Sequence, residues 1–305
     1  PMCKSIVYAP GRSTIDTALM QSGLAFTAAK RLVKDETGEY EIPGMYRIAR
    51  VDTNKTVGIN KGGRYNVLQH FEAVRHGLSN LFDDLDGEIV SSVLNLYNGR
   101  IAVVTVDLAE SSIIGHDSVI GKLNIFNDHG DGGYGGMVSD QRPVCINTYK
   151  IATAQAVAIG KYICNRHTGD VISKMRETAV ILGLAKEAHD NFVESARHLA
   201  NTPADVALHR RFFETLYNIP DKIEDRTGQQ RNMLEKLFEL TETGKGADIP
   251  GVKGSMWGAV NAATEHAQHY ATRRGDNKDD ARQHDALFGD HSVRAMDVAL
   301  KLASV

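Results

Sequence analysis

The sequence predicts an α+β fold: an antiparallel β-meander sheet packed with helices, followed by a largely helical C-terminal half. Three observations carry that expectation. Glu88 to Tyr97 and Arg100 to Asp107 are β-branched runs separated by Asn98-Gly99, the preferred dipeptide of a two-residue type I′ hairpin. Beyond Ile151 apolar residues recur with a period of 3.6 almost throughout. Composition is globular, with 42% apolar and 24% charged residues in a chain of 305.

Taken in order, Ser13 with Asp16 three residues on imitates a capping box ahead of Ile15, Leu19 and Met20, and Gly23 offers the stop. A strand from about Leu24 to Val33 meets a Thr37-Gly38 turn and a second strand through Tyr46 to Val51. Gly62-Gly63 breaks the pattern before a helix from Asn66 to about Phe82, whose Val67, Phe71, Val74 and Leu78 share one face. After the Asn98-Gly99 hairpin a strand over Val119 to Phe126 runs into the glycine-rich stretch Asn127 to Gly136. Another strand, Val138 to Ile146, leads to an alanine-rich helix from Thr148. Further helices are expected over Asp170–Asn201, Ala204–Tyr217, Gly228–Glu242, Ser255–Arg273 and Asp290–Leu302, punctuated by Pro220 and Ile249-Pro250-Gly251. The expected division is a core domain over 1–165 carrying the sheet and a helical region over 166–305, with intertwining of the two left open.

Several function classes fall away at this level. No apolar stretch approaches the length of a membrane span, and no apolar run follows the first residues as a secretion signal would. Three cysteines are too few for a disulfide scaffold and suit a reducing cytoplasm. A net charge of -3 excludes a polybasic tail, though not a local basic groove. A phosphate loop ending in Gly-Lys-Ser/Thr is absent, which argues against NTP hydrolysis.

Four constellations carry candidate chemistry. In Asn127-Asp128-His129-Gly130-Asp131-Gly132-Gly133-Tyr134-Gly135-Gly136, imidazole and carboxylates converging in a loop are metal-ligand chemistry, and closely approaching backbone N–H groups are phosphate chemistry. The same residues also suit a plain hairpin tip with Asx-turns. Arg142-Pro143-Val144-Cys145-Ile146-Asn147-Thr148 reads as a strand-to-helix junction, with Asn147 or Thr148 as N-cap and free N–H groups for an anion. Cys145 is either a nucleophile with His129 or His167 as base, or a small buried hydrophobe. Arg166-His167-Thr168-Gly169-Asp170 either caps a helix or delivers Arg166 and His167 to a phosphate. Trp257, Asn261, Glu265 and His269 recur at i+4 and form one helical stripe, for a ligand or for packing.

Together these segments resemble the phage/plasmid-like protein family, a domain of unknown function. The resemblance rests on Ser13 to Val33, on Arg50-Val51-Asp52 and Tyr65-Asn66-Val67-Leu68-Gln69, and on Asn127 to Asp131. It continues through Arg142 to Thr148, Arg166 to Thr168 and Trp257 to His269. The family-motif residues are therefore Asn127, His129, Asp131, Gly132, Cys145, Asn147, Thr148, Trp257, Asn261, Glu265 and His269. This chain departs from the pattern by the insertion of Gly130 between His129 and Asp131, by Pro143 and by His266. It also lacks the family's usual amino-terminal motif.

The element order, a helix, a three-stranded antiparallel meander and a return helix, is also similar to that of Redβ/RecT/Rad-type single-strand annealing proteins, an analogy at the level of fold. It implies a non-enzymatic, cytoplasmic protein of phage or plasmid origin that binds and anneals single-stranded DNA as a ring or filament of identical copies in recombination or replication. Lys61, Arg64, Arg142, Lys150, Arg166 and His167 are the candidate backbone contacts, with Tyr65 or Tyr134 for stacking. No cofactor is expected. The alternative is a metal-assisted hydrolase or nuclease, using a divalent metal at the loop of Asp128, His129 and Asp131 with His167.

Overall fold

A computed structural model describes residues 6–7, 12–79, 82, 86–87, 89–130, 133–143, 147–150, 162–182, 185–271 and 277–304. The fold is α+β, with two antiparallel sheets and with helices gathered in the C-terminal half. The strands are β1 (Ile6–Val7), β2 (Ala28–Lys34), β3 (Glu41–Arg50), β4 (Thr56–Lys61), β5 (Ser92–Leu96), β6 (Ile101–Ile114), β7 (Asp117–Asp128), β8 (Gly133–Arg142), β9 (Asn147–Lys150) and β10 (Tyr162–Asn165). The helices are α1 (Ile15–Gln21), α2 (His70–Leu78), α3 (Val171–Leu182), α4 (Ala185–Ala200), α5 (Val206–Tyr217), α6 (Gly228–Thr243), α7 (Met256–Glu265), α8 (Lys278–Phe288) and α9 (His291–Ala303).

β2, β3 and β4 form a three-stranded sheet in that order. The larger sheet runs β1-β5-β6-β7-β8-β10, and β9 also lies against β8. β8 divides its free edge: Tyr134 to Met137 pair with β10, and Ser139 to Arg142 pair with β9.

The chain separates into two compact units. The first comprises residues 1–107, 123–138 and 153–185; the second comprises 108–122, 139–152 and 186–305. In the first unit Ala28, Ile48, Val57 and Tyr65 pack under the small sheet. Gln69, the N-cap of α2, joins helix to sheet: its Nε2 donates to Ala28 O at 3.0 Å and its Oε1 accepts from Ala28 N at 2.8 Å. Glu72 accepts from the Gln69 backbone N–H at 3.1 Å, completing the reciprocal cap.

The second unit is built around α7, every residue of which is buried. Trp257, Val260 and Ala263 pack there with Phe212, Phe213, Leu237 and Ala295. Buried His189 of α4 is hydrogen-bonded to Asp140 of β8 and to Ser111 of β6 (2.9 Å to Oγ), so one imidazole ties a helix to two strands.

Several local expectations are corrected. Thr14, not Ser13, caps α1, accepting from Thr17 N at 3.2 Å. Leu96 pairs with Ile101, so the β5–β6 loop has four residues instead of two, and Tyr97 and Asn98 both take positive φ (52° and 58°). Asn147 and Thr148 belong to β9, not to a helix start, and residues 151–161 lie outside the described residues. The long helix expected from Asp170 is two helices, α3 and α4. β4 and α8 carry no clear periodic signal and arise in addition.

Candidate functional site

Within the first unit, an interior cluster of rings sits where three loops meet. His70 opens α2, His129 lies in the β7–β8 turn and His167 precedes α3. Ring centroids are 4.5 Å apart for His70–His129 and 6.3 Å for His129–His167. Tyr134 approaches His167 at 4.9 Å, and Phe26 meets His70 edge-on at 5.4 Å.

His70 spends both nitrogens inside the protein. Nε2 donates to Gly99 O at 3.0 Å, and Nδ1 accepts from Asn127 Nδ2 at 3.0 Å. The second Asn127 amide hydrogen goes to Leu68 O at 2.9 Å. That pattern requires a neutral ring, and burial pushes the His70 pKa down to about 4. With no lone pair to spare, His70 is no metal ligand. Among the described residues no group of three or more His, Cys, Asp or Glu is arranged to hold a metal ion. Asp131 and Gly132, two of the expected motif residues, lie outside the described residues, as does Cys145.

Above this cluster the structure brings together two segments about a hundred residues apart in sequence. Tyr65 and Thr168 form an antiparallel bridge. Asn66 donates its backbone N–H to His167 O at 2.8 Å and its side-chain amide to Gly169 O at 2.7 Å. Lysines brace both segments: Lys174 Nζ donates to Thr168 O at 2.6 Å, and Lys30 Nζ donates to Gly63 O and Tyr65 O at 2.8 and 3.1 Å. Arg64 and Arg166 flank the bridge and are exposed. Asp170, at the same turn, is committed to Ser173, whose backbone N–H (3.0 Å) and hydroxyl (2.7 Å) it accepts. Those bonds hold its carboxyl below the ordinary range. Arg64, Arg166, Lys30 and Lys174 are thus carried by, or bonded to, one pair of bridged segments.

Of the expected nucleic-acid contacts, Arg64, Tyr65, Arg166 and His167 meet here, but only the arginines face solvent. Tyr65 is 9% exposed with its ring stacked on His167 at 4.7 Å. His167 is 4% exposed, and its Nε2 donates to Asp128 O at 3.0 Å. Tyr134 is wholly buried. These three rings support the loops and present no stacking face. Lys61 closes β4 opposite Tyr46, and Lys150 closes β9.

Arg142 is the clearest correction. In the second unit its guanidinium is fully buried, donating from Nε to Asp117 at 2.6 Å and from its terminal nitrogens to Lys245 O at 2.8 Å and Gly246 O at 3.0 Å. Asp117 accepts in turn from Trp257 Nε1 at 2.8 Å. Asn261 bonds Trp257 O at 2.8 Å, and Glu265, its carboxyl raised by burial, accepts from Lys245 N at 3.1 Å. Trp257, Asn261 and Glu265 therefore face one interior network. His269 leaves the stripe for solvent because residues 266–270 form a π-turn, whose wider winding shifts the phase.

A second feature of the first unit escaped the sequence reading. A groove of about 910 Å³ is lined by residues 20–23, Arg50, Lys55, Thr56, Asn95, Tyr97 and Asn98. Arg50 lies 4.2 Å over the Phe26 ring and is held by Asp52 at 2.7 and 3.0 Å, which pulls the Asp52 pKa to about 2. Lys55 is exposed. Asn95 Nδ2 donates to Ser22 O at 2.8 Å, while its buried Oδ1 accepts no hydrogen bond among the described residues. A smaller cavity of about 210 Å³, lined by Gly58, Ile59, Arg100 and Gly130 among others, shares Thr56 and Tyr97 with it. Arg100 is bonded there to Asp128 at 3.1 Å. Nothing local marks these residues, since the groove arises from a helix end and two strand turns.

The family model described as Domain of unknown function (DUF932) matches residues 60–288. No curated protein and no solved structure matches the chain.

Proposed function

Because the chain belongs to the Domain of unknown function (DUF932) family, whose description names no activity, we propose a function from the site itself: the first unit binds single-stranded nucleic acid. The observation that carries this reading is the Tyr65–Thr168 bridge, which brings together the segments of exposed Arg64 and Arg166, with Lys30 and Lys174 bonded to backbone carbonyls of those segments. Cations held by backbone carbonyls keep their charge and their place, which suits a phosphate chain. A net charge of -3 does not oppose this, because the potential that attracts a polyanion is set by the local cluster. We further infer a phage or plasmid origin, assembly of identical copies, and annealing of complementary strands in recombination or replication. No helix among the described residues is long and apolar enough to cross a membrane.

The test is fluorescence anisotropy of a labelled oligonucleotide across a salt series. Binding that weakens steeply with salt supports the reading. Absence of binding at about 50 mM salt ends it.

A further inference from the structure

We propose that the groove beside Tyr97 holds an unstacked nucleobase of the bound strand. The inference rests on the single-strand reading above and adds what part of the strand is recognised and by which residues.

The lining is chemically specific. Gln21 and Asn98 supply exposed side-chain amides, which carry donors and acceptors together and so match the mixed pattern of a base edge. Lys55 lines the same groove as an exposed cation for a flanking phosphate, whereas Arg50 is already paired with Asp52. A site for phosphate alone would have no use for the amides, and a site for a hydrocarbon would not tolerate them.

Tyr97 provides the face. Its φ of 52° is a left-handed conformation that an aromatic residue rarely adopts, and Asn98 follows it with φ 58°. The turn thereby holds a half-buried ring at the groove wall, with the Arg100 guanidinium 5.9 Å from its centroid. A ring at such a site stacks on any base without regard to sequence. The volume of about 910 Å³ accommodates a base with its sugar and phosphates.

The experiment compares the full chain on an oligothymidine and on an abasic strand of equal length, by anisotropy at low salt. The wild type is expected to prefer the base-bearing strand by about tenfold. Tyr97→Gly is the informative variant, because glycine takes positive φ without strain and the fold is kept. It should reduce the preference to near unity while leaving affinity for the abasic strand unchanged. Tyr97→Phe keeps the ring and should keep the preference. Equal wild-type binding of the two strands, or a preference that survives Tyr97→Gly, overturns the base site and leaves the strand-binding reading standing. If neither strand binds, both fall.

Discussion

Arg142 donates its Nε hydrogen to Asp117 at 2.6 Å while neither side chain reaches solvent. The same carboxylate also accepts from Trp257, so strand β8, the start of β7 and helix α7 meet at one charge pair in the second unit. Removing one member strands the other in the interior. Arg142→Ala is therefore expected to destabilise the protein by about 3–5 kcal/mol. Denaturant titration reads the loss, and a cost below about 1 kcal/mol would contradict the buried-pair account. Nucleic-acid affinity per folded molecule should stay at the wild-type value.

The exposed arginines should behave in the opposite way. Arg64→Ala and Arg166→Ala are each expected to leave the unfolding midpoint within about 0.5 kcal/mol of wild type. Each should also reduce the slope of log affinity against log salt by about one. Slopes unchanged in both variants would remove these side chains from the strand path.

Acid should weaken the fold through His70. The pKa is depressed to about 4 in the folded chain against an ordinary 6.5, so between those values the unfolded chain binds a proton that the folded chain refuses. Stability present above the unfolded value is lost as pH falls toward the folded one, by about 3 kcal/mol for this group. His70→Gln keeps a donor and an acceptor without a titrating ring, and should flatten that part of the profile. Burial of His209 and His266 contributes in the same direction and remains in the variant. Denaturant midpoints measured across that range in both proteins give the difference; parallel profiles would contradict it.

Two glycines lining the smaller cavity separate main-chain from side-chain crowding. A Cβ at Gly58 would collide with the backbone carbonyl of His129, whereas one at Gly130 would meet the end of the flexible Arg100 side chain. Gly58→Ala should cost about 1–3 kcal/mol, and Gly130→Ala less. In an Arg100→Ala background the Gly130→Ala cost should vanish while the Gly58→Ala cost persists. Thermal unfolding of the two glycine variants, of Arg100→Ala and of the two double variants checks the order.

Local signals in the sequence account for most elements, since periodicity and turn residues act over a few positions. The β5–β6 hairpin and helices α5, α6 and α9 fall close to where spacing and punctuation put them. α8 was missed because its first turns are Lys278, Asp279, Asp280 and Arg282, with too few apolar positions to show a stripe. β4 was missed because Gly58 interrupts a short strand whose glycine is demanded by the nearby His129 carbonyl.

At the site, Arg64 and Arg166 were legible as candidates, but not their meeting, because the Tyr65–Thr168 bridge is made between distant segments. Arg142 shows the converse limit. An arginine beside a turn reads alike whether solvent or a buried aspartate surrounds it, and Asp117 lies 25 residues away. His70 gave no signal because it sits on the apolar side of an amphipathic helix, where a histidine looks like any other interior residue.

The three long strands β6, β7 and β8 each begin in one compact unit and finish in the other. No single scission of the polypeptide therefore liberates the second unit whole: a cut after residue 185 leaves every strand and every segment of the first unit on one fragment, but severs residues 186–305 from 108–122 and 139–152. Dissection of the second unit must proceed by substitution in the intact chain.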